Sequence, residues 1–171
     1  FGGQGYAKRP DVLTYPRDII ELAKQRITSF HASEERWSDP LQINPLLKKN
    51  EVDKLRIGWD LVLDIDCPYW VLSKIVAHLI VKAIRQHNVE AISAKFSGNK
   101  GFHIGVPFEA FPERIAGEDV SKRFPEDIRE IAAYIVQFIS RNYVEVKEDI
   151  IIFDQKFKFS LKELEDISGK P

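Results

Sequence analysis

The stretch from Asp60 to Asn88 leaves the chain little freedom in how it can fold. Asp60-Leu-Val-Leu-Asp-Ile-Asp66 is aliphatic and β-branched between its acids, which marks a strand. Cys67-Pro68 stops it, because proline has no N–H to give to a ladder. Trp70, Val71, Ile75, Val76, Leu79, Ile80, Ala83 and Ile84 then recur at helical spacing, and His87-Asn88 stands where such a helix terminates. A strand running straight into a long amphipathic helix makes a crossover, so the next strand is expected beside the first and parallel to it.

Val89–Ser97 supplies that next strand by its apolar-polar alternation. Gly98-Asn-Lys-Gly101 is turn chemistry, and Phe102–Val106 is a second apolar run, so the segment reads as a hairpin. Upstream, Pro16 opens a helix from Tyr15 to about Ser29 carrying Ile19, Ile20, Leu22, Ala23 and Ile27, and His31–Asn50 reads as loop with a short helical turn. Downstream, Pro125 opens a helix with the stripe Ile128, Ile131, Ala132, Ile135, Val136 and Ile139, and Ile150–Phe153 is a buried strand. The expected fold is α+β with α/β-like order, a mixed sheet packed against helices.

With 171 residues, 44% of them hydrophobic, the chain fits one domain better than two, and the motif-bearing core spans about residues 55–155. A net charge of −1 gives no global footprint for nucleic acid, so such contact has to come from a local basic patch. The single cysteine, Cys67, excludes an internal disulfide framework and a Cys-rich zinc site, which points to a reducing interior. No run approaches the roughly 20 apolar residues of a membrane span, and the opening FGGQGYAKRPD lacks a signal-peptide core, so a soluble chain without a membrane partner is expected. A start at Phe1 and the lack of any Met read as an excerpt from a longer protein.

Asp64 and Asp66 stand two apart on their strand, so they project from one face at roughly 6–7 Å along the chain, with Leu63 and Ile65 turned to the core. Adjacent carboxylates repel, and a shared hard cation, Mg2+ or Mn2+, relieves that repulsion; two solvated acids at a strand end are the plainer alternative. Around the turn, Ser97 and His103 are expected opposite one another across the hairpin. Gly98 and Gly101 would allow positive φ and close backbone approach, so exposed N–H groups, the Ser97 hydroxyl, Lys100 and an imidazole N–H can hold phosphates. A hairpin with a glycine-rich turn is the alternative. The crossover joins the two motifs, bringing both strand ends to the sheet edge where ligands usually bind.

These motifs, Leu61-Val-Leu-Asp-Ile-Asp66 and Ser97-Gly-Asn-Lys-Gly-Phe-His103, resemble the hallmarks of the archaeo-eukaryotic primase superfamily. Over about residues 30–107 the likeness is greatest to the small catalytic subunit of archaeal DNA primase, in which a polar stretch like Ser33-Glu-Glu-Arg-Trp-Ser-Asp-Pro40 precedes the acidic pair. The repair polymerase domain of bacterial end-joining ligases shares both motifs. The resemblance implies a primase-polymerase catalytic fold, with Asp64 and Asp66 as catalytic metal ligands and Ser97, Gly98, Lys100 and His103 against a nucleoside triphosphate. It further implies primer synthesis on a single-stranded DNA template, a primase large subunit as partner and a cytoplasmic, nucleoid-associated setting. The family's third acid is matched best by Asp154, after Ile150-Ile-Ile-Phe153; a strand-end turn acid is the other reading of it. One cysteine cannot build the Cys/His zinc module that small subunits commonly carry. A catalytically silent binding module and a metal-dependent phosphohydrolase are the competing functions for the same acidic pair.

Elsewhere, Phe153, Lys156, Phe157, Lys158, Phe159 and Lys162 interleave aromatic and basic residues, as a template-stacking strand or as an amphipathic strand with Phe inward and Lys in water. Trp59, Tyr69 and Trp70 flank the acidic strand as core or pocket wall. His31, His78 and His87 have no ligand spacing, and Lys8-Arg9 and Lys48-Lys49 read as solvated pairs.

Overall fold

The computed structural model describes residues 12–169. The opening FGGQGYAKRPD, with Lys8-Arg9, lies outside them. The chain divides into two compact units, Phe1–Trp59 and Asp60–Pro171.

In the first unit α1 (Pro16–Lys24) starts at the expected proline, with Asp18 accepting from the Thr14 and Tyr15 N–H groups at 2.9 Å each. None of its residues is buried. The segment expected to be loop instead holds β1 (Glu35–Trp37), which pairs antiparallel with β2 (Arg56–Trp59), and α2 (Lys49–Leu55) begins at its end. Charge hid this pairing. Arg56 is 5% exposed, and its guanidinium reaches Glu35 at 2.7 Å and Asp53 at 2.6 Å while lying 5.4 Å from the Trp37 ring centre. A buried guanidinium needs such partners, because an uncompensated charge out of water is costly.

The second unit opens with β3 (Leu61–Asp66) and α3 (Trp70–Gln86), which ends at His87 with Asn88 in the left-handed region at φ 61°. Asparagine tolerates that conformation, so the helix stops where the sequence placed its end. β4 (Ser93–Phe96) and β5 (Gly101–Val106) form the expected hairpin, although β4 covers only the last part of Val89–Ser97. β6 (Arg114–Ile115) and β7 (Glu118–Asp119) make a small ribbon before α4 (Glu126–Tyr143). β8 (Val144–Lys147), β9 (Ile150–Phe153) and β10 (Phe157–Ser160) form an antiparallel meander, and α5 (Leu161–Ser168) follows behind a Ser160–Glu163 capping box. The amphipathic strand read across Phe153–Lys162 is thus broken by a turn at 154–156, and Phe153 and Phe159 meet edge to face within the meander. The protein is α+β, and among the described residues no helix is long and apolar enough to cross a membrane.

The first sheet of this unit has the order β3-β5-β4, with both pairings antiparallel. β3 and β4 therefore run the same way, as a crossover requires, but they are not neighbours: β5 lies between them. The expected side-by-side parallel pair is corrected by a glycine. A Cβ on Gly101 would sit 1.5 Å from the Ile65 carbonyl oxygen, so only the glycine-bearing strand can approach β3 this closely. Leu61, Ile65, Ile104 and Val106 form a buried face of this sheet; α3 packs against β5, β3 and α4 and buries Ile75, Leu79, Ile80, Ala83 and Ile84. Of the helical stripe read from sequence, Trp70, Val71 and Val76 remain exposed, and Ser73 and Ala77 are buried instead.

Candidate functional site

Strand alternation puts every polar residue of this sheet on the face away from that core. Asp64 and Asp66 share one side of β3, as their spacing requires, and both are exposed. The β5 register sets Asp64 opposite His103 and Asp66 opposite Gly101. The imidazole Nε2 of His103 lies 3.4 Å from an Asp64 carboxylate oxygen, a contact that is ionic when the ring is protonated.

The expected Ser97–His103 pair does not form across the hairpin. His103 stands opposite Lys95, and Ser97 is joined to Gly101, its N–H donating to the Gly101 carbonyl at 2.9 Å. The reason is turn length. Gly98, Asn99 and Lys100 make a three-residue connection with Gly98 at φ 92°, and Ser97 closes it by accepting from the N–H of Gly101 at 3.2 Å and of Asn99 at 3.4 Å. These two N–H groups are turned onto the hydroxyl oxygen, which leaves the hydroxyl proton of Ser97 as its donor. Gly101 earns its place by close approach to β3 and does not take the positive φ allowed for it. Lys100 is exposed on the turn.

The face thus reads in three rows across β3, β5 and β4: Asp66, Gly101 and Ser97; Asp64, His103 and Lys95; Val62, Gly105 and Ser93. Gly101 and Gly105 flank His103 on the central strand, and the Ser93 hydroxyl lies over Gly105, 2.7 Å from where a Cβ would stand. Acidic oxygens stand on one strand and serine, imidazole and ammonium groups on the other two, so the face offers cation ligands beside anion donors. Lys95 and Ser93 were missed in the sequence, although Ser93-Ala-Lys-Phe-Ser97 alternates and puts both on the side of Ser97.

Asp154 stands in a different setting. It sits in the turn after β9 with φ 51°, is 6% exposed, is ion-paired to Lys82 and to Lys156 at 3.7 Å, and lies at hydrogen-bond distance, 3.2 Å, from His78 Nε2. The hydrogen bond from Lys82, then that from His78, holds its carboxyl below the usual carboxylate range. Lys82 also lies 4.5 Å above the Tyr143 ring centre, and His78 meets Phe157 edge to face, so the cluster fastens the β9–β10 turn to α3. His78 and Lys82 line, with Val81, Arg85 and Gln86, an open depression of about 270 Å3. His87 is likewise occupied, by the Ala83 carbonyl at 2.8 Å and the Tyr134 hydroxyl at 2.7 Å. Among the described residues no group of three or more His, Cys, Asp and Glu side chains is placed to hold a metal ion, so Asp154 does not join Asp64 and Asp66 in such a group.

Trp70, at the start of α3, stacks on Phe102 and meets Phe96 edge to face, each at 5.4 Å, which buttresses the sheet end that carries the turn. Compared with protein-family models, with curated proteins and with solved structures, the chain matches none.

Proposed function

We propose that this chain carries the metal- and nucleotide-binding part of a nucleotidyltransferase. The observation that carries the reading is the register of β3 on β5, which sets the acidic pair directly against His103 and the Gly98–Gly101 turn. The donors fit the ion: Asp64 and Asp66 offer exposed, same-face carboxylate oxygens, the hard ligands that Mg2+ and Mn2+ prefer. Such an ion supplies charge neutralisation and orientation of the reacting phosphates. The protein's own groups then divide the remaining work: His103 and the Ser97 hydroxyl donate to phosphate oxygens, Lys100 adds positive charge at the turn, Gly98 leaves the turn without a side chain, and Gly101 holds the turn close against β3.

Within that class, the two motifs together favour a DNA primase of the small-subunit type, with the primase-polymerase catalytic fold. It would condense nucleoside triphosphates on single-stranded DNA, in company with a large subunit. Asp64→Ala is expected to abolish Mn2+-dependent nucleotide binding and primer synthesis while leaving the circular dichroism spectrum intact. Normal primer synthesis by that variant refutes the proposal.

A second reading has a specific observation in its favour, because no third acid joins the pair among the described residues. In that reading the chain binds nucleotide or a partner subunit without turnover. A template-directed synthesis assay with Mn2+ separates the two: labelled product defines the enzyme, and nucleotide binding without product defines the silent module.

A further inference from the structure

The row that begins at Asp64 and His103 continues to Lys95. This lysine faces His103 across β4 and β5, so the three residues span two strand spacings, roughly 10 Å. Its neighbours Ala94 and Phe96 point to the other side of the sheet, leaving Lys95 on the polar face. It is exposed, and among the described residues no carboxylate pairs with it. Across the row the chemistry changes in one direction, from carboxylate through imidazole to ammonium. Gly101 and Gly105 flank His103 on β5 and carry no side chains, and the Ser93 hydroxyl lies over Gly105, 2.7 Å from where a Cβ would stand. A polyanion whose near phosphate is held through a cation at Asp64 and Asp66 would extend its far phosphates over His103 toward Lys95.

We infer that Lys95 binds the phosphates farthest from the metal pair and makes the site selective for nucleoside triphosphates over monophosphates. This rests on the reading of Asp64 and Asp66 as the metal-holding pair. Lys95 is exposed on the edge strand β4, so its removal is expected to change binding more than folding, and the circular dichroism spectrum of Lys95→Ala checks the fold. A charge-assisted contact to phosphate is stronger than a neutral one, and losing it should weaken binding about tenfold or more.

The test is isothermal titration with Mn2+ and a nucleoside tri- or monophosphate, using the wild-type chain, Lys95→Ala, Lys95→Arg and Asp64→Ala. Lys95→Ala should weaken the triphosphate about tenfold while leaving the monophosphate within about twofold, and Lys95→Arg should restore most of the loss. An unchanged triphosphate affinity in Lys95→Ala, or an equal loss for both ligands, overturns the inference. If Asp64→Ala abolishes binding while Lys95→Ala has no effect, only the inference falls. If Asp64→Ala binds as the wild type does, the metal-pair reading falls.

Discussion

Gly101 is the residue on which the sheet order turns, and replacing it with alanine tests that claim quantitatively. The added Cβ would meet the Ile65 carbonyl oxygen at 1.5 Å and its carbon at 2.7 Å, both backbone atoms that cannot rotate away. Relief to an ordinary contact of roughly 3.4 Å requires β3 and β5 to part by nearly 2 Å at the Asp66–Gly101 pair, a large fraction of the roughly 4.8 Å between strands. Such a shift breaks one or two ladder bonds worth about 1 kcal/mol each and adds overpacking strain of about 1–3 kcal/mol. The expected cost is therefore about 2–5 kcal/mol. Gly98→Ala is the internal control: its Cβ would meet nothing within 4 Å, so only the φ of 92° resists it, at about 1–2 kcal/mol. Urea denaturation followed by circular dichroism measures both, and Gly101→Ala should lower the midpoint further while weakening Mn2+-dependent nucleotide binding. Equal midpoints for Gly101→Ala and the wild type would refute the proposition that close approach at Gly101 places β5 beside β3.

Two further perturbations probe the supports. Arg56→Ala strands Glu35 and Asp53, which are about one-fifth and one-quarter exposed, and should destabilise the first unit by about 2–4 kcal/mol in thermal denaturation, less than the loss of a fully buried partner. A midpoint unchanged by that substitution would remove the ion pairs as a stabilising element. Asp154 has a folded pKa below its ordinary 3.8, so its stabilisation is fully present above that value and is lost as pH falls through the lower, folded one. Asp154→Asn should therefore be less stable than wild type at pH 7, with the gap closing below about pH 4. A gap that persists at lower pH would mean that charge is not what Asp154 contributes.

How much of this was legible in the sequence depends on whether the deciding interaction was local. α3 ends at His87-Asn88 because asparagine itself accepts the left-handed conformation, and the paired faces of Asp64 and Asp66 follow from strand alternation alone. The register of the hairpin differs by two residues from the expected one, since a three-residue connection, 98–100, sets Ser97 against Gly101, where a five-residue one, 98–102, would set it against His103. The position of β5 was hidden for another reason: the Gly101–Ile65 contact joins residues on opposite sides of α3, and nothing local announces it. β1 depends on Arg56, 21 residues beyond its partner Glu35, so a polar stretch concealed a strand. The acidity of Asp154 suggested a ligand, but its setting is decided by Lys82 and His78, which lie a helix and two sheets earlier in the chain.

The central place of β5 also bears on how the site comes into being. The β4–β5 hairpin closes over a short loop and can form early, carrying Lys95, Ser97 and His103 with it. The carboxylates arrive separately, when β3 docks across the far larger loop that contains α3. Neither part alone presents both cation ligands and anion donors, so a bound metal–nucleotide complex would clasp the two and stabilise only the docked state. On the proposed function, the affinity for that ligand would gauge how completely the sheet has assembled.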